Sequence, residues 1–193
     1  MAETARGGGA PGGAPAGSQA EAPTRADGVL GVLRALGAQL QRLPRWAGIP
    51  LAALWGGFIW ELSSRPGASE PPNPWKVWLF NSAHAPLFGL VAFWLLVAFP
   101  REEGWPRVGK RLALVAWGTA LAYAVVDELH QSTTPGRDAS ALDVLTDAVG
   151  AACTLWMAAY VGSPQASPRG TLARLGVGLG LCGLAGLLST LAT

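Results

Sequence analysis

Apolar residues fall into five long blocks along the chain, separated from one another by proline, glycine or charged residues. The blocks cover residues 46–62, 82–99, 112–129, 141–161 and 172–191. Because about 17 to 25 helical residues cross the hydrocarbon core of a bilayer, each block is long enough for one transmembrane helix. The blocks lack the alternation of apolar and polar residues that marks the strands of a membrane barrel. The pattern therefore predicts an all-α, polytopic membrane helix bundle with about five transmembrane helices.

Two different patterns precede the first block. Residues 1–27 contain no apolar run and are dominated by Ala, Gly and Pro, which predicts a disordered tail. In residues 28–44 apolar side chains recur at helical spacing, which predicts an amphipathic helix at the membrane interface. The predicted organisation continues with a membrane domain over residues 45–161 and a C-terminal transmembrane helix over residues 170–193.

Composition and charge narrow the class of protein. Half of the residues are hydrophobic and only 13% are charged, against about 25% in soluble domains. The net charge of +2 is small and the basic residues form no stripe, so we expect no nucleic-acid partner and expect contact with membrane lipid. Cys153 and Cys182 lie inside apolar blocks, and we interpret both as packing residues.

The distribution of basic residues predicts the orientation. Most of them precede the first block, separate the second from the third, or flank the start of the fifth. The other side has only Arg65, Lys76 and Arg137. Because basic loops stay in the cytoplasm, we expect a multi-pass inner-membrane protein with a cytoplasmic N-terminus. Segments 63–81 and 131–140 then face outward.

The fifth block is rich in glycine. Gly176 and Gly180 are four residues apart, a spacing that lets membrane helices approach closely. We interpret this pair as packing within the chain, although the same spacing also occurs at dimer interfaces.

Ionisable residues gather where the third block ends and the fourth begins. This group consists of Asp127, Glu128, His130, Gln131, Arg137, Asp143 and Asp147. Because one ionisable group near mid-bilayer costs about 2.5 to 3.5 kcal/mol on insertion scales, several of them together require a functional or structural reason.

Helical spacing places these side chains on particular faces. Asp127, His130 and Gln131 share one face of their helix, whereas Glu128 points about 100° away. Asp143 and Asp147 lie on a small or polar stripe of the next helix. A short loop makes the two helices antiparallel neighbours, so we expect the two polar faces to meet.

The loop between the third and fourth blocks has its own signals. Pro135 and Gly136 fit the central positions of a type II turn, and Ser140 suits the N-cap of the next helix. Two roles remain open for Arg137. It pairs with a nearby carboxylate of Asp127, Glu128 or Asp143 and locks the hairpin, or it contacts a ligand directly.

His84 is the other candidate, because the predicted orientation brings the start of the second block to the outer side. His84 and His130 are the only two histidines of the chain, and both fall at this level. We therefore predict a shared site, with His84 within reach of Asp127, Glu128, His130 or Arg137.

Several of these motifs resemble the VanZ-like family. They are Ser63-Ser64-x-Pro66, His84-x-x-x-Phe88-Gly89, Asp127-Glu128-x-His130-Gln131, Pro135-Gly136-Arg137, Asp143 and Gly150. The family is named for an accessory protein of teicoplanin resistance, and its members are small bacterial membrane proteins with a four-helix core. The resemblance implies a class of protein and a site, but no reaction. This chain departs from many members at Asn81-Ser82, where they have Asp-Lys, at Thr133, where they have an aromatic or aliphatic residue, and at Asp147, where they have Asn.

Three hypotheses follow. In the first, a candidate binding site engages a lipid head group or a lipid-linked envelope precursor, with Arg137 gripping an anion and the acids accepting from amines or hydroxyls. The site consists of His84, Asp127, Glu128, His130, Gln131, Arg137, Asp143 and Asp147.

In the second hypothesis, the same residues form an intramembrane enzyme, with Asp127 or Glu128 as base, His84 or His130 as partner, and a divalent metal as one option. No serine or cysteine has an evident neighbouring base, and we assign no metal ligands and no cofactor. In the third, the cluster only holds helices together.

Overall fold

A computed structural model describes residues 27–40, 42–67, 73–102, 105–106 and 108–192. The described residues form six α-helices: α1 Asp27–Leu40, α2 Gly48–Ser63, α3 Pro74–Val97, α4 Lys110–Gln131, α5 Ala141–Val161 and α6 Pro168–Ala192. A 3₁₀ turn, Arg45–Ala47, leads into α2, and the short strands β1 Arg101–Glu102 and β2 Trp105–Pro106 pair antiparallel between α3 and α4. The predicted tail lies outside the described residues, except for Asp27, which begins α1.

Helix length and surface confirm the all-α membrane bundle. Helices α3 to α6 have 24, 22, 21 and 25 residues and are apolar enough to cross a membrane. Large apolar side chains on their outer surfaces are exposed, for example 67% of Leu114 and 66% of Leu179, as lipid-facing residues are. Helix α2 has 16 residues, about 24 Å at 1.5 Å per residue. That is less than the bilayer core, so a fifth crossing by α2 stays a prediction.

Helix α3 is the centre of the bundle and contacts α2, α4, α5 and α6. It begins eight residues before the predicted block, because the Asn73 side chain accepts from Trp75 N–H and Pro74 occupies the first helical turn. Against it packs a stripe of buried alanines on α4, spaced four residues apart, which permits close approach of the backbones. These are Ala116, Ala120 and Ala124.

Indole groups connect the helices inside the bundle. Trp55 donates to Leu87 O at 2.9 Å, and Trp117 donates to Ala148 O at the same distance. Trp105, from β2, donates to Ala158 O at 2.8 Å. An apolar surrounding offers no water for these N–H groups, so each contact both satisfies a donor and fixes two elements to each other.

Helix α6 packs on α3 and α5. Gly186 lies directly against the backbone of Ser82 in α3, whereas no described residue lies within 4 Å of a Cβ placed on Gly176 or Gly180. The prediction that Gly176 and Gly180 pack within the chain is therefore wrong. Gly186, ten residues after Gly176, makes the close approach to α3.

Helix α1 contacts α6, with Leu30 buried in the bundle. Val32 and Leu36, on another side of α1, are 59% and 56% exposed. An apolar face turned away from the protein is what an interfacial helix requires, and its place in the membrane stays a prediction.

Candidate functional site

The polar residues form two groups. The α2–α4 cluster consists of Ser63, Ser64, Asp127, His130, Gln131 and Arg137. The α3–α5 cluster consists of His84, Asp143 and Asp147 with Ser189 of α6.

The loop between α4 and α5 positions the first cluster. Residues 134–137 form the predicted type II turn, with Gly136 at φ 74° and Arg137 N–H donating to Thr134 O at 3.2 Å. Gly67 N–H donates to Pro135 O at 3.0 Å, and a Cβ on Gly67 would collide with the carbonyl of Gly136. The chain after α2 therefore packs against this turn, which places the end of α2 beside α4.

Asp127 is the centre of the α2–α4 cluster, and only 1% of it is exposed. Its Oδ2 accepts from Ser63 Oγ at 2.8 Å and from Gln131 Nε2 at 3.0 Å. Its Oδ1 is buried, and no described residue donates to it. A buried carboxylate oxygen without a donor is costly, so this atom requires an explanation.

Arg137 binds the end of α2. It donates from Nη2 to Leu62 O and from Nε to Arg65 O, both at 3.3 Å, and from Nη1 to Gln131 Oε1 at 3.2 Å. No described carboxylate lies within ion-pair distance of Arg137, so the predicted pairing with an acid is wrong. The physical reason is that the last carbonyls of a helix lack partners and need donors where water is scarce. Arg137 has five N–H groups, of which these contacts use three, and a ligand contact stays open.

His130 lies at the edge of the same cluster. Its ring stacks on Trp60, with centroids 3.7 Å apart and planes at 11°. Its Nε2 is 2.9 Å from the Oγ of Ser64, which also lies 2.8 Å from Trp60 O. The interpretation that no serine has a neighbouring base is therefore wrong. The two residues are 66 positions apart, and no spacing in the sequence indicates their contact.

Glu128 points to another side of α4, as predicted. Its Oε1 accepts from the backbone N–H of Ser140 at 2.5 Å, and Ser140 Oγ in turn accepts from Leu142 N–H at 3.2 Å. Glu128 thus fixes the start of α5 to the end of α4, and Ser140 is the predicted N-cap.

The α3–α5 cluster is separate. His84 Nδ1 lies 3.2 Å from Asp147 Oδ1, within hydrogen-bonding distance. Asp143 Oδ1 accepts from Ser189 Oγ of α6, and Gly150 of α5 lies against the backbone of Ala85. The polar stripe of α5 thus faces α3 and α6, whereas Asp127 and Gln131 face α2. Among the described residues no hydrogen bond joins Asp127 or Gln131 to the α5 stripe, and the meeting of the two polar faces stays a prediction.

His84 lies deeper than its predicted place. Because α3 starts at Pro74, His84 is ten residues, about 15 Å, inside the helix. Its hydrogen-bonding partner is Asp147 and not one of the four predicted residues. Hydrogen bonds therefore arrange the candidate residues in two groups, and a single shared site stays a prediction.

In the described part of the chain, no three His, Cys, Asp or Glu side chains are arranged to hold a metal ion. The α2–α4 cluster offers instead a buried acceptor at Asp127, remaining donors on Arg137 and a serine beside a histidine. This combination suits an organic ligand with polar groups.

A family model described as VanZ/LLP1 matches residues 37–162. This range contains both clusters except Ser189, and it ends before α6. No curated protein and no solved structure matches the chain.

Proposed function

The chain belongs to the VanZ/LLP1 family, and from that premise we propose that it binds the polar head group of a membrane lipid or of a lipid-linked envelope precursor at the α2–α4 cluster. The observation that carries the proposal is that Asp127 Oδ1 is buried and accepts no hydrogen bond from any described residue. Because Oδ1 is buried in this conformation, a head group reaches it when the side chains at the end of α2 move aside, and an N–H or O–H donated there removes the desolvation cost.

The chemistry of the cluster narrows the class of head group. Asp127 supplies an acceptor for an ammonium or hydroxyl group, and Arg137 has remaining N–H groups for a phosphate or carboxylate oxygen. The side-chain amide of Gln131 donates to Asp127 and accepts from Arg137. The carboxylate acceptor and the guanidinium donor therefore lie on either side of Gln131. The favoured ligand is a head group that carries an anionic oxygen together with an amine or hydroxyl.

The other candidate residues have structural roles in this proposal. Glu128 fixes the start of α5, and His84 and Asp143 each have a partner on a neighbouring helix. Asp147 holds α5 to α3 through its contact with His84. These pairs stabilise the bundle around the binding residues.

Asp127→Asn tests the proposal, because its amide oxygen can still accept from Ser63 and Gln131. Its amide nitrogen then replaces Oδ1, so a donor faces the ligand where an acceptor was. Hydrogen bonds to charged groups contribute about 1.5 to 3 kcal/mol, so we expect bound lipid to fall by about tenfold or more with folding retained. The measurement is native mass spectrometry of lipids that copurify with the protein, together with its melting temperature.

Asp138→Asn is the matched control, since Asp138 is an exposed carboxylate one residue after Arg137. It should retain wild-type lipid. Equal lipid retention by folded Asp127→Asn would contradict the proposal and leave the cluster with a structural role.

A further inference from the structure

We propose that Ser64 and His130 form a nucleophile and base that cleave an ester bond of the lipid bound at the α2–α4 cluster. This inference rests on the proposed function, because the head group must first be bound beside Ser64. It gives that site an activity in addition to binding.

The geometry is that of an activated serine. His130 Nε2 lies 2.9 Å from Ser64 Oγ, within the range at which a base takes a hydroxyl proton. The known serine and histidine pairs also need a third group that orients the ring. Here the stacked indole of Trp60, 3.7 Å away and nearly parallel, fixes the plane of the imidazole.

Position favours reaction with a lipid. Ser64 directly follows the last residue of α2 and is exposed, so its hydroxyl can be reached, whereas the neighbouring Ser63 is buried and donates to Asp127. The single proton of Ser64 can go to Trp60 O or to His130 Nε2. Rotation of the hydroxyl toward a neutral His130 prepares the attack.

Arg137 provides the charge that such a reaction needs. It donates to the carbonyls of Leu62 and Arg65, the residues on either side of the segment that holds Ser63 and Ser64. Its remaining N–H groups can face an oxyanion that forms beside Ser64, where a preorganised donor stabilises the transition state.

The reaction balances with water as the only co-reactant. Ser64 Oγ attacks the ester carbonyl carbon while its proton moves to His130 Nε2. The carbon–oxygen bond to the leaving alcohol breaks, and the alcohol takes the proton from His130. Water then attacks the acyl group on Ser64, gives a proton to His130, and releases the carboxylic acid as that proton returns to Ser64.

A fluorophosphonate probe tests the pair on the full-length protein in detergent, because it reacts covalently with activated serines. We expect labelling of wild type and its complete loss in Ser64→Ala. His130→Gln should slow labelling by about 10²-fold or more, the usual contribution of a general base. Because His130→Gln keeps Ser64, it also tests the inference independently if Ser64→Ala is unstable.

Ser132→Ala is the matched control. Ser132 is also exposed and its hydroxyl also donates to a backbone carbonyl, Leu129 O at 2.6 Å, but the recorded contact of the His130 ring is with Ser64 Oγ. Ser132→Ala should label as wild type does. Absence of labelling in wild type, or labelling that survives Ser64→Ala, would overturn the inference.

Lipid retention separates the two proposals. Wild type that retains lipid but never reacts with the probe would overturn ester cleavage and leave binding supported. Wild type that reacts at Ser64, with lipid retained in Asp127→Asn, would support the pair and refute the binding role of Asp127.

Discussion

At the scale of single residues, partners decide what each polar group can do. Three acceptors surround the guanidinium of Arg137: the Gln131 side chain on α4, the Leu62 carbonyl at the end of α2 and the Arg65 carbonyl two residues after α2. In a membrane protein such carbonyls have few other donors. A planar group with five N–H donors reaches all three acceptors at once, which a lysine ammonium on a flexible stem does not.

Arg137→Lys should therefore destabilise the protein, even though the charge is kept. Loss of two of the three contacts predicts a fall of about 1 to 3 kcal/mol in the free energy of unfolding. Thermal unfolding in detergent measures it. Arg65→Lys is the control, because the exposed side chain of Arg65 makes no described contact. Wild-type stability of Arg137→Lys would show that the fork geometry is unimportant.

At the scale of elements, backbone approach sets which helices pack. Gly186 of α6 lies on the backbone of Ser82, and next to it Trp78 Nε1 donates to Gly183 O at 3.1 Å. One turn further, Asn81 Nδ2 donates to Thr190 Oγ1 at 3.2 Å. These contacts attach α6 to α3, although α6 lies beyond the matched family range.

Gly186→Ala should loosen this attachment, because the added methyl group meets backbone that cannot move aside cheaply. Overpacking of this kind costs about 1 to 3 kcal/mol. Gly176→Ala, on the open side of the same helix, should be neutral or stabilising by up to about 1 kcal/mol. Comparison of the two melting temperatures tests the packing, and equal values would contradict it.

At the scale of the whole molecule, the two ends of the bundle differ. The α4–α5 turn and the chain after α2 meet at one end, while β2 and the α5–α6 connection lie at the other, where Trp105 contacts Ala158. The basic residues favour the second end as cytoplasmic. The orientation is a prediction that labelling can test.

Single cysteines report which end faces outward. In a background without Cys153 and Cys182, Thr133→Cys should react with an impermeant thiol reagent on intact cells, and Gln165→Cys should react only after lysis. Both positions are exposed in turns, so access of the reagent is comparable. The reverse result would invert the orientation.

The sequence alone determined the features that depend on local order. The length of each apolar block predicts a membrane helix, because in lipid the backbone N–H and C=O groups can hydrogen-bond only to each other. Gly136 and Ser140 gave the turn and the N-cap, since positive φ and an unpaired helical N–H each favour few residue types. The Asp127 to Arg137 motif also indicated where polar chemistry concentrates.

Only the tertiary structure decided which polar residues meet. Helical spacing predicts the face of its helix on which Asp127 or Asp147 lies, but not which other helix packs there. In the structure α2 packs at Asp127 and α3 packs at Asp147. Because α3 starts at Pro74, His84 lies about 15 Å from the start of its helix, where Asp147 is its partner. Ser64 and His130 meet only because α2 ends beside α4, and such contacts arise from packing between distant segments, which spacing along one chain does not encode.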